Sequence, residues 1–294
     1  MPEAHPMQQI SDRLYADSPA ETLFHYTSLQ GLVGIVTSRA IWASDVRYLN
    51  DSAEIRHTTD LILAQSQARM DRGQGNGALL SQFQEWLVRG ISHDHLLFGA
   101  SFRANGNLLS QWRGYSVPGK GVSLGFEPAQ LVAAARRQGF RIGRCIYDPR
   151  RQQALIEQIL DSLERRGQQW RGAHPDSRHY RPLFESMEAE LLHIAALLKH
   201  PAFAEEEEWR LLASVLTDGS HPGLRFREGR SMLVPYVEFA LCDDPRQPLP
   251  LSQLYVGPTP NAPLSLRSLA LFLERQGIRP AEGIQFCEIP YRGR

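Results

Sequence analysis

Neither sign of charge prevails in this chain. Among its 294 residues Lys and Arg together number 32, Asp and Glu also number 32, and the net charge is zero. Nonspecific nucleic-acid binding needs a basic surplus to displace counterions from phosphates, so the balance argues against that class. Two local basic patches remain, at Arg136, Arg137, Arg141 and Arg144 and at Arg225, Arg227 and Arg230. Cysteine is scarce: Cys145, Cys242 and Cys287 lie far apart, with no CxxC pair. That spacing argues against a zinc knuckle and fits a reducing compartment. No apolar run approaches the length of a membrane span, and the polar stretch from Met1 to Ser18 lacks the apolar centre of a secretory signal. A cytoplasmic protein is therefore expected. Also missing are GxGxxG and Walker loops, a GxSxG elbow, HExxH and an EF-hand. The glycine-rich stretch from Arg72 to Gly77 matches no phosphate cradle and reads as a connection. There is no internal repeat and no low-complexity segment.

What the chain does have is enough apolar residue, 42% of the total, and enough length to close a sizeable core. Residues 1–20 read as a loose N-terminal tail, and residues 21–294 as a single α+β domain with a helical insertion at about residues 150–200. Leu23 to Tyr26 is strand-like, and the apolar spacing of Leu29, Leu32, Val33, Ile35 and Val36 predicts a helix directly after it. Thr27 and Gln30 stand in capping-box register for that helix, as Asp51 and Glu54 do for the next. Apolar runs predict strands at 96–102, 121–126, 140–147, 224–226, 231–241, 254–257 and 284–291. The segment Gln111 to Tyr115 is short and glycine-broken and reads as irregular. The irregular order of strands and helices favours α+β over a doubly wound parallel sheet.

Three segments carry residues suited to chemistry. His25 sits at the end of a strand beside a helix start, where backbone amides and side-chain donors converge on ligands. Its ring is either held by hydrogen bonds in the core or turned to a sugar hydroxyl or amide. Trp112, Arg113 and Tyr115 either pack a loop onto the core or offer a flat face to a heterocycle and a guanidinium to a phosphate. The acidic run Glu205 to Glu208 is followed by Trp209 and Arg210, and is either a solvated helix or the start of a strand. On a strand, Glu206, Glu208 and Arg210 share one face. Two close carboxylates raise one pKa, Arg210 offsets this, and such a pair suits glycosidic chemistry. A metal site has less support: His193 and His200 are seven residues apart, roughly 10 Å along one helix.

The ordered pieces Phe24-His25-Tyr26-Thr27-Ser28, Leu49-Asn50-Asp51 with Glu54, Ala100-Ser101-Phe102, Trp112-Arg113-Gly114-Tyr115, Gly121 to Phe126, Lys199-His200 with Phe203, Glu206, Glu208 and Arg210, and Leu254 to Pro258 resemble the bacterial domain-of-unknown-function family 2971. The resemblance runs from about residue 21 to residue 260. The opening block is in turn similar to the first strand and helix of the ADP-ribosyltransferase fold, in its His-Tyr-Glu class. That likeness implies an α+β fold of two small antiparallel sheets around a cleft that holds NAD. By resemblance His25 hydrogen-bonds the adenosine-side ribose, with Tyr26, Thr27, Trp112, Arg113 and Arg210 as further cofactor-binding candidates. Tyr115 stacks on nicotinamide, with Tyr26 the second candidate for that role. Glu208 stabilises the oxocarbenium ion as nicotinamide leaves, and Glu206 orients the acceptor.

The first expectation is therefore an NAD-consuming enzyme that transfers ADP-ribose to a macromolecule or hydrolyses NAD, with no metal. The second is a non-catalytic nucleotide- or partner-binding module of a bacterial defence or stress system. A carboxylate-metal hydrolase is the third.

Overall fold

The computed structural model describes residues 6–48, 52–89, 95–115, 121–175, 179–217, 219, 221–229, 231–244 and 246–288. The segment read as a loose tail is helical over α1 (Pro6–Leu14), because Met7, Ile10 and Ser11 recur at helical spacing and are buried. Next come β1 (Leu23–Ser28), α2 (Leu29–Ser38) and β2 (Ala40–Asp45). Ser28, not Thr27, caps α2: its hydroxyl accepts from the Gly31 amide at 3.1 Å. After a 3-10 turn (Val46–Tyr48) the chain forms α3 (Ser52–Asp71), α4 (Gly77–Arg89), β3 (His95–Arg103) and α5 (Leu109–Tyr115). The expected caps of α3 lie outside the described residues at Asp51, and Glu54 is described only as helical backbone. The segment read as irregular thus forms a short helix, with Gly114 in its last turn.

The chain continues through β4 (Gly121–Phe126), α6 (Pro128–Arg137), β5 (Arg141–Arg144), α7 (Pro149–Ala173), α8 (Arg181–Glu185) and α9 (Glu188–Ala195). A 3-10 turn (Pro201–Glu206) leads to β6 (Glu208–Leu216), β7 (Arg225–Glu228), β8 (Leu233–Ala240), β9 (Leu251–Val256), α10 (Ala262–Arg275) and β10 (Ile284–Phe286). The α+β class stands. Among the described residues the strands form one ten-stranded mixed sheet rather than two small antiparallel ones. Its main path runs β10-β9-β4-β1-β3-β2-β8-β7, β6 pairs with β3, and β5 pairs with β6. Among the described residues, β9 and β10 are the one parallel pair of strands.

Side chains on β3 alternate between two cores, as the pleat requires. Phe98, Ala100 and Phe102 enter a core shared with α2, α6 and α10, through Leu32, Val36, Leu131, Leu269 and Leu273. Leu97 enters the second core on the other face, built from α1, α3, α4, α7, α8 and α9. There Met7, Leu79, Phe83, Ile156, Leu160 and Leu191 are all fully buried, each adding about 1.5–3 kcal/mol of burial energy. The helices between residues 149 and 195, read as an insertion, pack in this core with α1, α3 and α4.

Candidate functional site

The strands β1 and β2 share one edge of β3 and fork away from each other along it. Gly99 pairs with Ser44 on one side and Leu212 on the other. Arg103 pairs with Phe24 on one side and Glu208 on the other. Among the described residues β1 pairs with β3 at Phe24, and β2 pairs with β3 at Ser44 and Asp45. Between these points, residues 100–102 of β3 have no strand partner on the forked edge among the described residues.

His25 enters this gap, with Nδ1 at 3.0 Å from the Ser101 carbonyl oxygen. A carbonyl oxygen only accepts, so Nδ1 carries the hydrogen and Nε2 is left as an acceptor. Burial lowers the imidazole pKa, the bond to Ser101 partly opposes this, and nearby Arg103 lowers it further. The ring is neutral at physiological pH.

The fork opens into a cavity of about 550 Å³, within the ordinary range for small-molecule and cofactor sites. β1 lines it with His25 to Ser28, β2 with Trp42 and Ser44, and β3 with Gly99 to Ser101 and Arg103. Tyr48, Gln111 and the β7–β8 hairpin, through Arg227, Gly229 and Met232, complete the wall. Among the described residues the lining includes two arginines and no carboxylate. Arg227 donates to the Ser44 hydroxyl at 3.1 Å. Ser28, the cap of α2, brings the positive end of that helix to the same space. Trp42, half exposed, stacks on Tyr236 at 4.5 Å between ring centroids.

Arg103 also faces away from the cavity into a buried ion cluster. Its guanidinium lies 2.7 Å from Glu206 and 3.2 Å from Glu208. Lys199 meets both carboxylates, at 2.8 Å for Glu206 and in direct contact with Glu208. Arg210 donates to Glu208 at 2.9 Å and to the Ala196 carbonyl at 2.7 Å. Burial raises the Glu208 pKa, but Arg210, Arg103 and Lys199 outweigh it and hold the carboxyl well below the usual range. The expected mutual repulsion of the two glutamates is overcome, because three cations lie among them.

The acidic run is split by its backbone. Glu206 ends the 3-10 turn, Glu207 adopts a left-handed φ of 41°, and Glu208 opens β6. Glu208 and Arg210 then share a strand face.

His25, Tyr26 and Thr27 line the cavity. The Tyr26 hydroxyl is held by the Asn105 carbonyl at 2.9 Å and the Leu108 amide at 2.8 Å. Trp112 is buried, edge-on to Tyr26, with its indole N–H on Asn107. Arg113 is exposed and outside the cavity wall, and Glu206, Glu208 and Arg210 stand behind Arg103 and not in the lining. Tyr115 ends α5, and its side chain lies outside the described residues. Among the described residues no group of His, Cys, Asp and Glu is placed to hold a metal, and His200 lies beyond the helix that carries His193. Sequence reasoning missed Arg103, Gln111, Trp42 and Tyr48. Arg227 was visible only as part of a basic patch.

A mixed α+β chain with a forked sheet edge and an arginine-lined cleft is the class that these features define. Residues 111–211 match the model of a family described as protein of unknown function (DUF2971), the family that the sequence resembles. The match runs from Gln111 in α5 to Leu211 in β6 and includes Lys199, Glu206, Glu208 and Arg210. No curated protein and no solved structure matches the chain. No helix among the described residues is long and apolar enough to cross a membrane.

Proposed function

We propose that the forked cleft binds a nucleotide, with NAD as the ligand. One observation carries this reading: among the described residues the wall combines Arg227, which has no ion pair, Arg103, no carboxylate, and a neutral histidine that offers an acceptor. Phosphates match Arg227 and the helix end, a ribose hydroxyl matches His25 Nε2, and Trp42 presents a face for stacking. Titration calorimetry with NAD tests it, run beside a nicotinamide-release assay. Saturable binding that weakens as salt rises is expected. Heat no different from buffer across millimolar NAD would refute the proposal.

NAD cleavage, by transfer of ADP-ribose to a macromolecule or by hydrolysis, is the second reading. It draws on the likeness to the ADP-ribosyltransferase fold, and Arg103 favours it by joining the cleft to Glu208. Against it, the Glu208 carboxylate is already neutralised by three cations, which weakens its pull on a positive anomeric centre. Binding without nicotinamide release selects the non-catalytic module, and release selects the enzyme.

A further inference from the structure

Gln111 is 4% exposed and lines the cleft, yet its Oε1 has no hydrogen-bond partner among the described residues. A buried carbonyl oxygen left unmet is costly, and a native structure keeps one where something else supplies the donor. The residue is held in place from both sides. Its neighbour Trp112 is locked by the Asn107 bond and by packing against Tyr26, and α5 is anchored where the Leu108 amide donates to the Tyr26 hydroxyl. The packing of α5 therefore positions the amide.

The acceptors of this wall differ in what they can take. His25 Nε2 belongs to a ring already fixed by Ser101, and suits a hydroxyl. Arg227, with no ion pair among the described residues, serves an anion, whereas Arg103 is already paired with Glu206 and Glu208. Gln111 offers a neutral amide acceptor, which suits the N–H of a flat polar group.

We propose that Gln111 is the specificity-determining residue of the cleft, and that its Oε1 accepts from an N–H₂ group on a ligand heterocycle. This rests on the nucleotide reading above. NAD has two such groups, the adenine amino group and the nicotinamide carboxamide. The same chemistry serves both, and ligand analogues separate them.

The test uses calorimetry on the full chain and on Gln111→Leu with three ligands. These are NAD, its nicotinic acid analogue, which lacks the carboxamide nitrogen, and its hypoxanthine analogue, which lacks the adenine amino group. Wild type should bind one of the two analogues about tenfold or more weaker than NAD, which identifies the end that is read. Gln111→Leu should lose about tenfold in NAD affinity and bind that analogue as well as it binds NAD. The ligand-free melting temperature of the variant should be equal or higher, since the unmet acceptor is gone. Gln111→Met, closer in length, repeats the test if the leucine variant fails to fold. Wild-type discrimination against neither analogue, or unchanged NAD affinity in the variants, overturns the inference alone. A lower ligand-free melting temperature in both variants also overturns it, because the amide then has a structural partner. Failure of wild type to bind NAD overturns the nucleotide reading and this inference with it.

Discussion

Arg103 on β3 and Glu208 on β6 are cross-strand partners whose side chains meet at 3.2 Å, and of the two only Arg103 reaches the cleft wall. A carboxylate suited by type to stabilise a sugar cation is thus held one residue behind the ligand space. Removing it is not silent for the fold. Glu208→Gln leaves Arg103, Lys199 and Arg210 facing Glu206 alone, and breaking a buried pair costs about 3–5 kcal/mol. For a chain of this size the melting temperature should fall by roughly 10 °C, read by circular dichroism. A variant within about 2 °C of wild type would mean that the cluster is not the buried unit seen here.

Arg227 makes a hydrogen bond to Ser44 but, among the described residues, no ion pair. It sits on the β7–β8 hairpin, away from both cores. Arg227→Ala should therefore leave the melting temperature unchanged. It should weaken NAD binding by about tenfold and flatten its dependence on salt, because one charge-assisted phosphate contact is lost. Equal salt slopes for wild type and variant would remove Arg227 from the phosphate site.

Two glycines of α2 provide a matched pair. A Cβ on Gly34 meets nothing, whereas a Cβ on Gly31 falls on the Thr27 hydroxyl in the cleft wall. Alanine is favoured over glycine in a helix by about 1 kcal/mol, so Gly34→Ala should raise the melting temperature. Gly31→Ala should show less of that gain or none, since Thr27 must turn, and should weaken NAD binding. Equal gains and equal NAD affinity in both variants would show that Thr27 moves without consequence for the cleft.

The strand–helix–strand opening of the fold was legible because apolar spacing changes at Ser28 from that of a strand to that of a helix. His25 was legible by residue type and by its closeness to a helix start, although β1 runs on to Ser28 and places it third of six residues and not at the strand end. Ser28 and Thr27 are both plausible caps by composition, and only backbone geometry separates them. The helix α1 was missed because its nine residues are polar on average, although their few apolar residues recur at helical spacing and are covered by α7 and α9. Arg103 and Gln111 were not legible at all. Their roles come from the forked edge of β3 and from the packing of α5, contacts between residues about 80 apart that leave no local pattern. Glu206 and Glu208 were visible as acids, but the three cations that hold them come from positions 103, 199 and 210.

Acid should destabilise the protein in two stages. His193 is buried, and burial first, then electrostatic repulsion from the Arg141 and His95 side chains, lower its pKa to about 3. Its unfolded value is about 6.5, so below that pH the unfolded chain binds the proton and the folded one resists it. Stability therefore falls as pH drops from about 6.5 towards 3, and His25, lowered in the same direction, adds to the fall. Glu208 acts later. Its pKa is depressed in the fold, so its contribution is complete above the unfolded value of about 4.3 and is lost below it. Melting temperature measured from pH 8 to pH 3 should be level, then decline below about pH 6.5, then steepen below about pH 4.5. His193→Leu should flatten the first decline and leave the second. A variant whose profile parallels wild type between about pH 6.5 and pH 4.5 would show that this imidazole is not held neutral in the core.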